Sequence, residues 1–150
     1  MKPGTVFKWN NFPYPRIGDQ IKARWFVCLG STGLLSDPII VHICTTTTSI
    51  NDFKSGGKRS SHRFLLFGKT RYPCFEEDCI LDFDGPPFSE SLKSLGSNKD
   101  IEIKGELDNQ TLKSIYNGIQ TSKHYSLKIL LDIHTSLNQI GITGLKKPKP

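Results

Sequence analysis

Arg24 and the hydroxyl run Thr45-Thr46-Thr47-Thr48 sit at the edges of two apolar segments. The first segment is Arg24-Trp25-Phe26-Val27-Cys28-Leu29, and the second is Pro38-Ile39-Ile40-Val41-His42-Ile43-Cys44. Both read as strands, and the Gly30–Asp37 connection between them reads as a hairpin link. A guanidinium offers a planar fork of donors to phosphate oxygens. A threonine hydroxyl adds an uncharged donor at little steric cost. Delivered by adjacent strands, Arg24 and Thr45 have the chemistry to hold a phosphodiester. Strand parity puts Ile39, Val41, Ile43 and Thr45 on one face and Ile40, His42, Cys44 and Thr46 on the other. His42 is a candidate general base because imidazole titrates near neutral pH, with a half-buried structural histidine as the plainer role. Asp19, five residues before Arg24, is a second acid–base candidate, its plainer role being a solvated loop acid.

Two loops flank this pair. Asn10–Lys22 carries Pro13, Pro15 and Gly18 and exposes Phe12 and Tyr14, which are candidates for stacking unpaired bases. Asn51–Arg63 carries Gly56-Gly57 and the cations Lys54, Lys58, Arg59 and Arg63, which suit a nucleic-acid backbone or simply a solvated loop. Thr46 is grouped with these RNA-contact candidates. Lys and Arg together number 20 against 14 acids, for a formal charge of +6, and that balance favours a polyanionic partner.

Composition narrows the alternatives. No apolar run approaches the roughly 18 residues of a membrane span, and Met1-Lys2-Pro3-Gly4 lacks the apolar core of a signal peptide. The expected location is therefore cytoplasmic, with no membrane partner. Cys28 and Cys44 lie within apolar runs and read as small hydrophobes. Cys74 and Cys79 are spaced unlike zinc ligands, so neither a metal nor another cofactor is expected.

The elements that must position the candidate residues are short. Strands are predicted at Thr5–Trp9, at the two segments above, at Phe64–Phe67, at Cys79–Phe83 and at Ile101–Gly105. Asp108 reads as the N-cap of a helix whose apolar stripe is Leu112, Ile115, Tyr116 and Ile119. A second helix is predicted over Ser126–Leu137, and its apolar side needs a cover, from the barrel or from a second subunit. Lys146-Lys147-Pro148-Lys149-Pro150 reads as a disordered basic tail. The fold class is mainly β with C-terminal helices, a small barrel or half-barrel. Residues 1–120 form the barrel with its helix, 121–143 a helical extension of the same domain, and 144–150 the tail.

This order of pieces resembles the MazF/PemK family of toxin endoribonucleases, with their SH3-like barrel of the MazF/PemK/CcdB type. The resemblance runs from about residue 3 to 120. It rests on Pro3-Gly4-Thr5-Val6-Phe7, on Arg24-Trp25-Phe26-Val27-Cys28-Leu29, on Ile43-Cys44-Thr45-Thr46 and on the helix after Gly105-Glu106-Leu107. Trp25 replaces the proline that follows the family's arginine, and Ile43-Cys44 replaces the proline before its threonine. The resemblance implies metal-independent, sequence-selective cleavage of single-stranded RNA to a cyclic phosphate and a 5′-hydroxyl. It implies that Arg24 and Thr45 are catalytic, that the protein is a homodimer, and that an antitoxin protein is a partner. The alternative reading is a non-catalytic SH3-like module that binds protein or nucleic acid. A third is an accessory protein whose extra helices bind a partner.

Overall fold

The computed structural model describes residues 1–14 and 21–150. Asp19 lies outside the described residues. Strands β1 (Thr5–Trp9), β2 (Arg24–Ser31) and β3 (Ile40–Thr47) form the centre because they are apolar on both faces. Around them lie β4 (Phe64–Phe67), β5 (Cys79–Asp82), β6 (Phe88–Ser91) and β7 (Ile101–Glu106), with helices α1 (Leu92–Ser97), α2 (Asn109–Ile119) and α3 (Leu127–Gln139). The seven strands pair antiparallel in the order β4-β5-β3-β2-β1-β7, with β6 added on β3. Among the described residues β4 and β7 do not pair with each other, so the sheet is open rather than closed into a barrel.

Two cores follow from the parity of the central strands. Val6, Val27, Leu29 and Cys44 face a larger core that also holds the apolar sides of α2 and α3. Phe7, Trp9, Phe26, Cys28 and Ile43 face a smaller one with Phe12 and Leu95. The stripe Leu112, Ile115, Tyr116 and Ile119 of α2 is buried as its spacing predicts. The α2 N-cap is Asp108, whose carboxylate accepts the Thr111 N–H at 2.7 Å. That bond holds the Asp108 carboxyl below the usual carboxylate range.

The apolar side of α3, Leu130, Ile133 and Leu137, is buried on the chain's own sheet. A second subunit is therefore not needed to cover it, and that ground for expecting a homodimer falls. The close approach depends on Gly30. A Cβ there would lie 2.9 Å from the Ser136 Cβ and 3.0 Å from the Ile133 Cα. The hydroxyl of Ser136 accepts from the Ser31 N–H at 2.9 Å and donates to the Ser31 carbonyl at 3.1 Å. It thus continues the strand's hydrogen bonding where β2 and β3 shift register between Cys28 and Gly30.

Two elements were not expected from the sequence. Strand β6 follows Pro86-Pro87 and offers one large apolar residue, Phe88, so pairing with β3 rather than local pattern makes it a strand. Helix α1 is capped by Ser91, which accepts from Ser94 N at 3.0 Å. The tail also differs from expectation. It has no regular element, but Pro148 is buried, Leu145 packs on the larger core, and the Tyr116 hydroxyl donates to the Lys146 carbonyl at 2.5 Å. No helix among the described residues is long and apolar enough to cross a membrane.

Two predictions follow from this packing. Gly30→Ala should destabilise the protein by about 1–3 kcal/mol, because a methyl group must push backbone of α3 rather than a flexible side chain; urea titration measures it. Asp108 has a depressed folded pKa, so its contribution is present above its unfolded value and is lost as pH falls through the lower folded one. Asp108→Asn keeps a capping oxygen, and should remove part of the stability loss seen below about pH 4 without weakening the helix greatly at pH 7. Urea midpoints across that range check this.

Candidate functional site

One edge of β3 is shared end to end by two strands. Strand β6 pairs with Ile40–Ile43, and β5 pairs with Thr46–Thr47. The ladder is interrupted at Cys44 and Thr45, and the turn from Asp82 to Phe88 crosses the gap. A groove of about 640 Å³ opens there, with Cys44, Thr45, Thr46, Asp82, Asp84 and Phe88 in its wall. Arg24 reaches the same groove from β2, where the register sets Phe26 against Thr45. Side chains of paired residues share a face, as do residues i and i+2. Arg24, Phe26 and Thr45 therefore stand on one face, with Arg24 beyond the apolar floor made by Phe26.

The structure thus brings Arg24, Thr45, Thr46, Lys58, Arg59 and Tyr14 to one groove. Thr46 is buried on the opposite strand face, beside the Cys79 thiol. The Thr45 hydroxyl lies 3.0 Å from the Trp25 carbonyl and 3.2 Å from the Thr46 carbonyl, so its single proton is already given to backbone. Its lone pairs stay available.

Phe12 also lines the groove but is only 3% exposed, packing among Trp9, Phe26 and Phe88 at centroid distances of 4.9 to 5.3 Å. It is a core residue that supports Tyr14, whose ring meets it edge-on at 5.4 Å. Tyr14 is 54% exposed. Lys54 does not line the groove. Arg59 does, but as a tied residue: it pairs with Asp52 at 3.2 Å and Asp82 at 3.5 Å, and its guanidinium lies 4.5 Å from the Phe53 ring centre. Arg63 is held by Asp84, through its backbone N–H at 2.8 Å and its guanidinium at 3.0 Å. Burial alone would raise the Asp84 carboxyl, but the two bonds from Arg63 outweigh it and keep the group below the usual range. The two arginines of the basic loop are therefore clamped, while its Lys58 is an exposed residue of the groove wall.

His42 does not line the groove. It is 4% exposed and lies between Ser89 of β6 at 2.8 Å and Asp132 of α3 at 2.8 Å. Its role in the fold is to tie α3 to the sheet. The sequence reading missed His62 and His124, both of which line the groove. His62 Nδ1 lies 2.9 and 3.1 Å from the two oxygens of Asp82. A carboxylate only accepts, so Nδ1 carries a proton, and in the neutral ring the lone pair is on Nε2. Asp82 also accepts the Asp84 N–H at 2.9 Å. His62 stands twenty residues from Asp82 in the chain, so no local motif joins them. The only signal was a histidine inside the basic loop and an aspartate ending a predicted strand.

Four permanent cations, Lys22, Arg24, Lys58 and Arg59, line the groove against the carboxylates of Asp52, Asp82 and Asp84. A smaller hollow of about 280 Å³ adjoins it through Arg24, Thr46 and Thr47, but carries Glu76 and Glu77, which repel phosphate. No group of three or more His, Cys, Asp or Glu side chains able to hold a metal ion occurs among the described residues. All four cysteines are free thiols. Burial pushes Cys28 up to about 12 and Cys79 up to about 11, and moves Cys44 higher still. Cys44, although in the groove wall, is thus no nucleophile at neutral pH. No protein-family model matches the chain, and no curated protein matches it.

Alkylation of the native protein with iodoacetamide near pH 8 should modify the half-buried Cys74 and spare Cys28, Cys44 and Cys79 until the chain is unfolded. Peptide mass spectrometry distinguishes the four; rapid labelling of native Cys44 would overturn the picture of an inert thiol in the groove wall.

Proposed function

We propose that the groove binds single-stranded RNA and cleaves it without a metal, as a MazF/PemK-like endoribonuclease on an open version of the SH3-like barrel. The observation that carries this reading is the convergence of Arg24 and Thr45 from neighbouring strands on one face of one groove. The 2′-oxygen of the substrate attacks the adjacent phosphorus, and charge grows on the non-bridging oxygens. A fixed guanidinium aimed at that charge stabilises the transition state more than the ground state. Arg24 has this role. Tyr14 offers an exposed ring against which a base stacks. Lys58 and Lys22 add positive charge along the backbone path. In this reading the protein is a toxin, and its partner is an antitoxin protein that covers the groove.

Thr45 has the lesser role. Its hydroxyl must leave a backbone carbonyl before it can donate to phosphate, so the exchange gains little. That same bond favours the second reading, a module that holds RNA in the groove without cutting it.

The test is incubation of the purified protein with mixed-sequence RNA in EDTA, with products read for 2′,3′-cyclic phosphate ends. Arg24→Ala should lower the cleavage rate by about 10²–10³-fold. Thr45→Val, which keeps the branched shape, should lower it by about tenfold or less. Binding without any cleavage would favour the non-catalytic module, and undiminished cleavage by Arg24→Ala would remove Arg24 from the site.

A further inference from the structure

The cleavage reading leaves two proton transfers unassigned. In-line displacement puts the attacking 2′-oxygen and the departing 5′-oxygen on opposite sides of the phosphorus, so one group cannot serve both. Arg24 cannot give up its proton at physiological pH. The Thr45 hydroxyl is bonded to backbone, and the Cys44 thiol is held protonated by burial. Asp82 and Asp84 are occupied by His62, Arg59 and Arg63. Among the described residues, the groove wall also holds two imidazoles, His62 and His124, a side chain that can both take and give a proton.

We infer that His62 and His124 are the acid–base pair of this groove. This rests on the RNA-cleaving reading above. His62 is the base. Its Nδ1–H is fixed on Asp82, and its Nε2 lone pair is the one left to accept a proton. Asp82 is itself nearly buried, at 9% side-chain exposure, and is gripped by the Asp84 N–H and Arg59. Asp82 is therefore a positioning residue, at the end of a chain of charges that runs Asp52, Arg59, Asp82, His62. His124 is the acid. It is an exposed residue of the connection between α2 and α3, brought to the groove by a different layer of the fold. Its neighbour Tyr125 is 5% exposed and anchors that connection in the larger core.

The step balances without a co-reactant. His62 Nε2 takes the 2′-hydroxyl proton as the 2′-oxygen bonds to phosphorus. The bond from phosphorus to the 5′-oxygen breaks, and His124 gives that oxygen its ring proton. The products are a 2′,3′-cyclic phosphate and a 5′-hydroxyl. Exchange with water then returns both rings to their starting states.

The test uses a fluorescent single-stranded RNA in EDTA, with cleavage rate measured across pH and binding measured by anisotropy. The wild-type profile should be bell-shaped. The charged groups that set its limbs are Asp82, Arg59 and Asp84 around His62, and Lys123 beside His124, together with the groove cations Lys22, Arg24 and Lys58 and the carboxylate Asp52. His62→Gln should lose the limb at lower pH and about 10²–10⁴-fold in rate, and His124→Gln the limb at higher pH. Both should bind RNA within about threefold of wild type, since neither ring is a fixed cation. His62→Asn and circular dichroism guard against a folding defect, and added imidazole should partly restore His62→Gly. Asp82→Asn should shift the lower limb and reduce the rate, with recovery in Asp82→Glu. A substrate with one 2′-deoxy sugar at the cleavage position should bind and remain uncut. Wild-type rate and profile in His62→Gln would overturn the pair while leaving the RNA-cleaving reading intact. Absence of cleavage by the wild-type protein would overturn both.

Discussion

Strand β3 is too long for either partner on its outer edge. Of its eight residues, Val41 to Thr45 pair with β2 along one side, while the other side is divided between β6 and β5. Two short strands meeting on one long strand leave a break, and backbone groups at a break must find other partners or water. Here the break falls at Cys44 and Thr45, and the intervening chain, with Gly85, Pro86 and Pro87, loops across it. The groove is the consequence. It opens where the sheet turns from its six-stranded path onto the β6 branch, and its polar residues come from strand ends. Strand ends project side chains beyond the packed core, which is why Phe26 is fully buried while Arg24, two residues earlier, reaches the groove.

Electrostatics then decide which charges are available. The chain has a surplus of cations, but the surplus is not spread evenly through the site. Asp52, Asp82 and Asp84 draw Arg59 and Arg63 into short contacts, all through partly buried carboxylates. Such pairs hold geometry more than they add stability, since each desolvated partner offsets much of the attraction. They stiffen the loop that carries His62 and set the orientation of its ring. Lys22, Arg24 and Lys58 add positive charge to the groove wall.

The sequence carried the central strands, both long helices and the Asp108 cap, because hydrophobic period and capping residues are local signals. Parity along β3 also carried over: Thr45 shares its face with Val41 and Ile43, and Thr46 lies opposite. What was not legible depends on contacts between distant segments. β6 has no strand pattern of its own and exists through β3. The ionic clamps join Arg59 and Arg63 to Asp82 and Asp84 across a strand pair, so a count of charges in the loop mistook tied arginines for free ones. Phe12 lies in a proline-punctuated loop and looked exposed, yet the aromatic cluster of Trp9, Phe26 and Phe88 takes it in. The tail is polar by composition, but Leu145 packs on the larger core, Tyr116 of α2 bonds the Lys146 carbonyl, and Pro148 is buried.

Two histidines in this fold show how little a hydrogen-bond distance says about function by itself. His42 lies 2.8 Å from a serine hydroxyl and 2.8 Å from an aspartate, a constellation that on distances alone suggests nucleophilic catalysis. It is closed off beneath α3, and Asp132 is also engaged by Lys128 at 3.2 Å. Nucleophilic chemistry needs donors for the developing oxyanion and room for a substrate, and the triad arrangement supplies neither by itself. The contacts there join three elements, β3, β6 and α3, and satisfy a buried ring that would otherwise be costly. His62 makes a similar bond to an aspartate, but its ring lines an open groove and only its Nδ1 is bonded to that aspartate. The difference between a fastener and an acid–base group lies in access: one ring has both nitrogens committed to protein, and the other has one.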